Sequence, residues 1–341
     1  MKSTILSTRQ LAEALGVSRW TVSRALNGHP DINPATAEKI REAAREYRFA
    51  PSILGRSLRQ GKTDLVGICL PDLVDYFLVN KISRLNQAIE ALGLHPLLHI
   101  VRDTHEDEIQ ALGRFTAIRC QAVILMASPL KPDHPALTSL HHAEIPTLHI
   151  DPFHPGHPVT VSTDRSVAME KAVAHLHKKG HRRFCLFGIN PATSYGRQRV
   201  KGFKKAAREH GFSFDDVYRF YTHAAWDGND FEYGAALAQR WLKEGGPKHP
   251  HTGIIAINDR VAQGAINALH QAGMAVPQKV GVVGYDNADF SAHTAPALTT
   301  IDPHVDLLAD QTALLLGGIV HGSKRRRQVK IKPTLIERSS S

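Results

Sequence analysis

The sequence predicts an α/β protein with a small helical unit at the N-terminus and a body of parallel β-sheets covered by helices. The 341 residues are 42% hydrophobic and 22% charged, a globular composition with room for about two or three domains. From residue 65 onward, short apolar runs alternate with helical patterns. Such alternation is typical of parallel sheets with helices on both faces. The first 63 residues read instead as short helices and are strongly basic.

The N-terminal unit reads as three helices. Ser7 or Thr8 can cap the first, and Gly16 permits the tight turn that follows it. Ser18 can cap the second, and Pro34 suits the first turn of the third. The predicted ranges are 8–15, 19–26 and 33–48. Two short helices joined by a four-residue turn that contains glycine match a helix-turn-helix.

Charge is concentrated in this unit. Residues 1–63 hold eleven Lys and Arg against five Asp and Glu, a net +6, which leaves +4 for the other 278 residues. A basic unit on a nearly balanced body is the electrostatic signature of a polyanion partner. Arg19, Trp20 and Arg24 are predicted to project from the second helix, where they could enter a DNA major groove. A small bundle with a solvated charged face is the alternative.

The segment 51–63 is short and basic and contains Gly55, which costs about 1 kcal/mol of helix propensity relative to alanine. Because short helices are marginal alone in water, we predict a linker that becomes helical only when docked. Its glycines and Lys62-Thr63 resemble a phosphate-binding loop, but the spacing is one residue too long and the loop precedes a strand instead of following one. A nucleotide site is therefore rejected.

The body has too many strands for one open sheet, so two similar halves are predicted. The predicted strands are 65–70, 96–101, 122–127, 147–150, 183–188, 217–221, 253–257 and 280–285. The predicted helices are 77–92, 105–116, 166–179, 197–210, 232–243 and 260–272. In parallel sheets, ligands bind beyond the carboxyl ends of the strands.

Polar side chains collect at those ends. They are Asp72, Asp75, Asp151, Asn258, Asp259, Asp286 and Asn287. Each could instead cap a helix or form a turn. Together with Arg199 and the aromatic residues Tyr76, Phe77 and Trp226, however, they suit a polyol. Carboxylates and amides bond hydroxyl groups, and an aromatic face covers the apolar side of a sugar ring.

Several classes of protein are disfavoured. Cys69, Cys120 and Cys185 are widely spaced in apolar runs, which predicts buried reduced thiols. The 21 histidines lack zinc-ligand spacing with cysteines, so neither a metal nor another cofactor is predicted. Apolar runs fall short of the ~20 residues that span a bilayer, and the N-terminus carries no visible secretory signal. A cytoplasmic, non-membrane protein is expected.

The N-terminal motifs resemble those of the lactose-repressor (LacI/GalR) family of transcription regulators. The matching residues are Leu11-Ala12, Gly16-Val17-Ser18, Thr21-Val22-Ser23-Arg24, Leu26-Asn27, Pro51 and Arg56-Ser57-Leu58. The resemblance implies that Arg19, Trp20 and Arg24 read base edges. It implies backbone-contacting or helix-positioning roles for Thr8, Thr21, Ser23 and Asn27, and a minor-groove wedge for Leu58. Gly55 stands where the family often has alanine, and Trp20 is bulky for a reading position.

The resemblance continues through the body. It is carried by Gly180-His181-Arg182, Arg199, Gly202-Phe203, Asn258-Asp259, Val280–Asp286 and Leu298-Thr299-Thr300. It implies two Rossmann-like, periplasmic-binding-protein-like subdomains, three crossovers and a ligand cleft between them. Arg199, Asn258 and Asp286 match positions that commonly bind effector, and Asp75, Phe77, Asp151 and Trp226 are further lining candidates.

These implications give a DNA-binding domain at 1–50, a hinge helix at 51–63 and an effector-binding and dimerisation domain at 64–341. Its N-subdomain is expected at about 64–163 and 291–324, and its C-subdomain at about 164–290 and 325–341. The basic run 324–327 is expected to be a solvated loop and not a second DNA site.

The predicted function is a homodimeric, nucleoid-associated regulator, most often a repressor in this family. Its affinity for a pseudo-palindromic DNA operator would be controlled by a small effector, expected to be a sugar. The alternatives are a periplasmic-type sugar receptor, which would lack the basic N-terminal unit, and an enzyme. No G-x-S-x-G, H-E-x-x-H or G-x-G-x-x-G motif is present, so no catalytic residue is predicted.

Overall fold

A computed structural model of the chain describes residues 7–26, 28–49, 63–71, 76–102, 105–213, 218–222, 229–248 and 251–341. The N-terminal unit consists of α1 (Thr8–Leu15), α2 (Arg19–Leu26) and α3 (Pro34–Glu46). Ser7 caps α1 by accepting a hydrogen bond from the backbone of Gln10, and Gly16 follows it with a φ of 67°. The first two helices have the predicted bounds, and the third ends two residues early, at Glu46.

The three helices enclose their own apolar core. Leu11, Val22 and Ala25 are fully buried, and Ile40 is 1% exposed. These residues come from all three helices at helical spacing. The N-terminal unit therefore contains a separate hydrophobic cluster that buries the backs of α1 and α2.

The first sheet has the strand order β11-β5-β4-β3-β1-β2. Its strands are β1 (Leu65–Pro71), β2 (His95–Val101), β3 (Ala122–Met126), β4 (Thr147–Ile150), β5 (Val159–Thr163) and β11 (Arg327–Ile331). Every neighbouring pair is parallel. The helices around it are α4 (Tyr76–Glu90), α5 (His105–Ile118), α6 (Pro135–His142) and α11 (Val305–Val320).

The second sheet has the order β12-β10-β9-β8-β6-β7 and is parallel except where β12 runs against β10. Its strands are β6 (Arg183–Phe187), β7 (Tyr218–Tyr221), β8 (Thr252–Ala256), β9 (Val280–Tyr285), β10 (Thr299–Asp302) and β12 (Thr334–Ile336). Its helices are α7 (Arg165–Lys178), α8 (Ser194–Glu209), α9 (Asp230–Lys243) and α10 (Asp259–Gln271). Short 3₁₀ turns lie at Gly246–Lys248 and Asp289–Ala292.

Each sheet carries an apolar cluster on both faces, which accounts for its continuous apolar strands. Strand β3, for example, is buried at all five positions. Cys69, Cys120 and Cys185 are buried free thiols, as predicted, and burial raises the pKa of the Cys185 thiol to about 12. The predicted α/β fold with a helical N-terminal unit is confirmed.

The chain crosses between the sheets three times, from β5 to α7, from β10 to α11 and from β11 to β12. The boundaries between the two subdomains therefore differ from the predicted ones in the C-terminal part of the chain. Strand β10 (Thr299–Asp302) pairs with β9 in the second sheet, and β11 (Arg327–Ile331) pairs with β5 in the first. Local propensity does not say which sheet a strand joins, because that depends on pairing with strands far away in the sequence.

Candidate functional site

The second helix of the N-terminal unit presents a polar face to solvent. Ser18 caps α2 by accepting a hydrogen bond from the backbone N–H of Thr21 at 3.0 Å. Arg19 is exposed, and Trp20 keeps 61% of its surface accessible. An exposed tryptophan leaves a large apolar area in water, and this residue type is enriched where partners bind. We call Arg19, Trp20 and Arg24 the reading face.

Arg24 is held on the reading face by two neighbours. Its guanidinium donates hydrogen bonds to Asp31 at 2.7 and 3.0 Å and lies 4.8 Å from the centre of the Trp20 ring. The hydrogen bond from Arg24 holds the pKa of Asp31 below its ordinary value. Among the residues that the structure describes, Arg19 has no ion-pair partner. Its charge therefore remains available to a polyanion.

The other residues predicted to contact DNA are placed as follows. Thr8, Thr21 and Ser23 are partly buried, and the Thr21 hydroxyl shares a 2.8 Å hydrogen bond with Ser18. Thr8 opens α1, so its backbone lies at the N-terminus of that helix. Asn27, Gly55 and Leu58 lie outside the described residues. The structure thus gives positions to six of the nine predicted residues.

The second candidate site lies where the carboxyl ends of the two sheets face each other. A cavity of about 420 Å³ is lined by Phe77 of α4 and by residues that follow strands β8 and β9. The residues after β8 and β9 are Asn258, Asp259, Asp286 and Phe290, and Phe231 of α9 adds a second aromatic ring to the lining. An adjoining space of about 470 Å³ shares Phe77 and Asp286. We call this pair of spaces the cleft.

Asn258 has both ends of its amide engaged. Its Oδ1 accepts from the backbone N–H of Val261 at 2.9 Å and so caps α10. Its Nδ2 donates to Asp230 at 2.7 Å. Asp230 also accepts from Arg260, which completes a polar network on the wall of the cleft. The capping alternative raised from the sequence is therefore observed at Asn258.

Asp259 supports the same wall from beneath. Its carboxylate accepts from the Ala288 N–H at 2.8 Å, from the Ser291 hydroxyl at 2.7 Å and from the Thr300 hydroxyl at 2.5 Å. The side chain is 1% exposed. Burial outweighs these three hydrogen bonds and raises the pKa of Asp259 to about 6. This residue ties α10 to β10 and to the loop that follows β9, next to the crossing at β10.

Arg199 lies close to the cleft and is 8% exposed. Its guanidinium lies 5.1 Å from the centre of the Tyr285 ring, one residue before Asp286. Burial, followed by the neighbouring charge of Arg165, lowers the pKa of Arg199, and the carboxylate of Asp286 opposes that effect. Within the described part of the chain, no hydrogen bond joins Arg199 to a carboxylate. A buried guanidinium that is not bonded to a carboxylate favours a ligand with acceptor oxygens.

Asp151 is placed between the two sheets instead of on an open wall. Its Oδ2 accepts from Lys81 Nζ at 3.1 Å. Its Oδ1 accepts from Arg165 Nη1 at 2.9 Å and from the Thr163 N–H at 2.9 Å. Burial alone would raise the pKa of Asp151, but Arg165 and Lys81 hold it well below its ordinary value. Tyr195 of α8 adds a hydrogen bond to the Asp151 backbone oxygen. We call these residues the inter-sheet clamp.

The structure brings together Phe77, Asn258 and Asp286, with Arg199 behind them. Asp75 and Trp226 lie outside the described residues. Sequence reasoning missed Phe231 and Phe290, whose rings lie 5.7 Å apart beside the cavity. It also missed Asp230, although the Asn229-Asp230 pair at a helix start resembles Asn258-Asp259. That resemblance was the available signal.

In the described part of the chain, no cluster of three or more His, Cys, Asp or Glu side chains could hold a metal ion. No helix there is long and apolar enough to cross a membrane.

Comparison with known proteins identifies both parts of the chain. Residues 9–52 match the family described as bacterial regulatory proteins, lacI family, and residues 173–341 match the periplasmic binding protein-like domain. The ribose operon repressor of Escherichia coli strain K12 is 25% identical over 338 residues, which cover 98% of this chain and 99% of that protein.

Solved structures share the fold along nearly the whole chain. The lac repressor dimer bound to operator and the anti-inducer ONPF superimposes with a TM-score of 0.83 at 23% identity, over 97% of both chains. The transcriptional regulator CelR in complex with cellobiose gives a TM-score of 0.69 at 22% identity, over 98% of this chain and 99% of that one.

A helix-turn-helix unit joined to two parallel sheets with a cleft between them defines a DNA-binding transcription regulator. The chain therefore combines a LacI-type helix-turn-helix domain with a periplasmic-binding-like domain, as LacI-family regulators do. The relatives named above are a repressor and a transcriptional regulator.

Proposed function

We propose that the protein is a homodimeric repressor that binds a specific DNA operator through α2. Its affinity for the operator changes when a small effector occupies the cleft. The observation that carries the proposal is the reading face. Arg19 and Trp20 are exposed on a helix whose opposite side is fully packed. A bundle that needed no partner would not require an exposed tryptophan between two arginines on its second helix.

Each of the nine residues predicted to contact DNA has a role in this proposal. Arg19, Trp20 and Arg24 contact base edges, where a good bidentate arginine pair discriminates by about 1–3 kcal/mol. Thr8, Thr21, Ser23 and Asn27 contact or position the phosphate backbone, which supplies salt-dependent affinity without sequence information. Gly55 and Leu58 belong to the hinge segment, with Leu58 inserted as a minor-groove wedge.

The effector is proposed to be a sugar or a sugar derivative. The cleft combines aromatic faces at Phe77 and Phe231 with carboxylate and amide groups at Asp286 and Asn258, and Arg199 is buried behind it. Sugar hydroxyls need both donors and acceptors, and their ring faces are apolar. Two proteins with which this chain is similar are named for or bound to sugars, ribose and cellobiose. Asp75 and Trp226 complete the proposed lining, whereas Asp151 is assigned to the inter-sheet clamp because Lys81 and Arg165 already hold its carboxylate.

Control of DNA binding is proposed to work through the three crossings between the sheets. An effector that contacts both sheets favours one angle between them, and that angle sets the spacing of the two hinge segments in the dimer. The effector must bind the two states with different affinity, and a coupling of about 1–3 kcal/mol is typical. The inter-sheet clamp and Asp259 lie where such a rotation would act.

Dimerisation is proposed to use the β2 edge of the first sheet. Leu98 and Ile100 of this edge strand are 43% and 37% exposed, and Val79 of the adjacent α4 is 46% exposed. Exposed apolar side chains at a sheet edge invite a partner. Two-fold pairing places two reading faces on a pseudo-palindromic operator. In this proposal the protein acts in the cytoplasm, bound to DNA of the nucleoid.

The DNA-binding proposal is tested with Arg19→Ala and DNA taken from immediately upstream of the protein's own gene. We expect Arg19→Ala to weaken operator binding by about 5- to 150-fold, which corresponds to about 1–3 kcal/mol. Arg208→Ala, an exposed change on α8 of the second sheet, is the matched control and should bind as the wild type does. Wild-type binding that does not discriminate between the operator and scrambled DNA would refute the proposal.

The effector proposal is tested by thermal-shift screening of sugars, sugar phosphates, sugar acids and purines against the full chain. A hit should raise the melting temperature of the wild type, and the shift should be much smaller in Arg199→Gln. The same hit should change operator affinity. A ligand that stabilises the protein without changing its operator affinity would contradict this part of the proposal.

A further inference from the structure

A run of four consecutive cations, Lys324-Arg325-Arg326-Arg327, lies exposed at the start of β11. We call it the basic run. Among the residues that the structure describes, none of its members has an ion-pair or hydrogen-bond partner on its side chain. Four adjacent unpaired cations repel one another, and an anionic partner relieves that repulsion. Composition favoured a solvated loop, but the fold gives the run a specific location.

The strand order places the basic run at the same edge of the first sheet as the connection to the N-terminal unit. Strand β11 is parallel to β5, and the parallel pairing continues through β4 and β3 to β1. The amino ends of β11 and β1 therefore share one edge. Thr63, the first described residue after the hinge segment, is fixed at that edge by its hydroxyl, which donates to the Arg119 backbone oxygen at 2.8 Å.

The distances bring the basic run within range of a bound duplex. Four strand spacings of about 4.8 Å separate β11 from β1, or about 19 Å along the edge. That span corresponds to about 6 base pairs at 3.4 Å each. The twelve residues 51–62 reach at most about 43 Å when fully extended and about 18 Å as a helix. The end of the N-terminal unit therefore lies within about 43 Å of Thr63 at this edge.

Resting on the proposed operator binding, we propose that the basic run is a second DNA contact, in which the body of the protein binds phosphates beside the segment held by α2. Arginine forks match phosphate oxygens, and the contact carries no sequence information. Arg119 adds a further cation in the segment that leads into β3, and Asp64, Glu90 and Glu144 are acidic residues in the segments that lead into β1, β2 and β4. The edge keeps a net positive charge, as a DNA-facing surface requires.

The test compares salt dependence of DNA binding for three full-length proteins. The first is the wild type, and the second is Lys324→Gln/Arg325→Gln/Arg326→Gln, which spares Arg327 because that residue is part of strand β11. The control is Arg183→Gln/Arg208→Gln/Lys279→Gln, which removes the same charges from the amino edge of the second sheet, where the connection to the N-terminal unit does not enter.

Each phosphate contact contributes about 0.9 to the slope of log K against log salt. If the basic run supplies one contact in each protomer, the fall in affinity between 50 and 200 mM salt should shrink by about tenfold in the basic-run variant. Operator and scrambled DNA should be affected equally, and the control should keep the wild-type slope. A charge-retaining variant, Lys324→Arg/Arg325→Lys/Arg326→Lys, should restore the slope.

A basic-run variant with the wild-type slope overturns the inference. That result is also expected if the run serves an acidic protein partner, seated in the adjacent groove of about 560 Å³ that Leu92 and Leu314 line. Failure of the proposed function looks different. In that case the wild type does not distinguish operator from scrambled DNA, while the slope difference between the variants is still measured on either DNA.

Discussion

Replacing Asp151 with asparagine tests whether the inter-sheet clamp holds the two sheets together. The change keeps the shape of the side chain and leaves an oxygen to accept from the Thr163 N–H. It removes the charge that Lys81 and Arg165 share. Both cations are only 11% exposed on their side chains, and Asp151 is 5% exposed. The variant therefore leaves two nearly buried cations without their common counter-ion.

The expected cost follows from that burial. Removing one partner of a buried ion pair costs about 3–5 kcal/mol, because the remaining charge stays desolvated. We expect Asp151→Asn to lose about that much free energy of unfolding at pH 7. The Arg165 guanidinium also lies 3.9 Å from the centre of the Tyr195 ring. The substitution leaves that contact in place, so no further cost is added for it. The loss should appear in urea denaturation as a lower midpoint.

Asp306→Asn is the matched control. It breaks the Arg84–Asp306 ion pair, whose side chains are 50% and 74% exposed, and such a pair is worth about 0–1 kcal/mol. If both variants lose less than about 1 kcal/mol, the reasoning about the clamp is refuted. A second signature is available in acid. Because the folded pKa of Asp151 is depressed, its stabilisation is present above its ordinary pKa of 3.8 and is lost as pH falls below it, a loss that Asp151→Asn should not show.

Three further outcomes are expected. Burial raises the pKa of Glu108 to about 7 from 4.5, so its ionisation opposes folding as pH rises between those values; Glu108→Gln should raise the melting temperature at pH 8 and change it little at pH 4. Gly202→Ala should cost about 1–3 kcal/mol despite better helix propensity, because its Cβ would lie 2.1 Å from the Ser166 backbone oxygen. Gly113→Ala is the control, because a Cβ there meets open space, and it should gain up to about 1 kcal/mol of stability. Thermal denaturation measures the change in stability for both variants. Asn258→Ala should lose about 1 kcal/mol with the α10 cap, and an unchanged urea midpoint would contradict that role.

Local signals predicted the N-terminal unit closely. The bounds of α1 and α2 were predicted to the residue because a serine cap and a left-handed glycine act within one turn of the helix they border. The strands with long apolar runs, such as Val280–Tyr285, were found for a related reason. A strand that is buried on both faces must be apolar at nearly every position.

Other elements were missed because their burial depends on distant neighbours. Strands Val159–Thr163 and Thr299–Asp302 are rich in threonine and serine, and Thr299 and Thr300 are fully buried only because hydrogen-bond partners from far along the chain reach them. Helix Val305–Val320 contains the pair Gly317-Gly318, which weakens its helical signal. Near the C-terminus, Lys332-Pro333 separates strands Arg327–Ile331 and Thr334–Ile336 where the chain crosses between sheets.

The sequence by itself determined the class of this protein, the helices and strands with strong local signals, and the residue types at the reading face and the cleft. Caps, apolar periodicity and the excess of charge act over a few residues, so they can be read without knowing the fold. Only the tertiary structure decided which charges meet. Asp151 finds Lys81 from 70 residues away, and the basic run shares an edge with the hinge connection because β11 pairs in parallel with β5. Those distances are set by strand order, which brings together residues that are far apart in the chain.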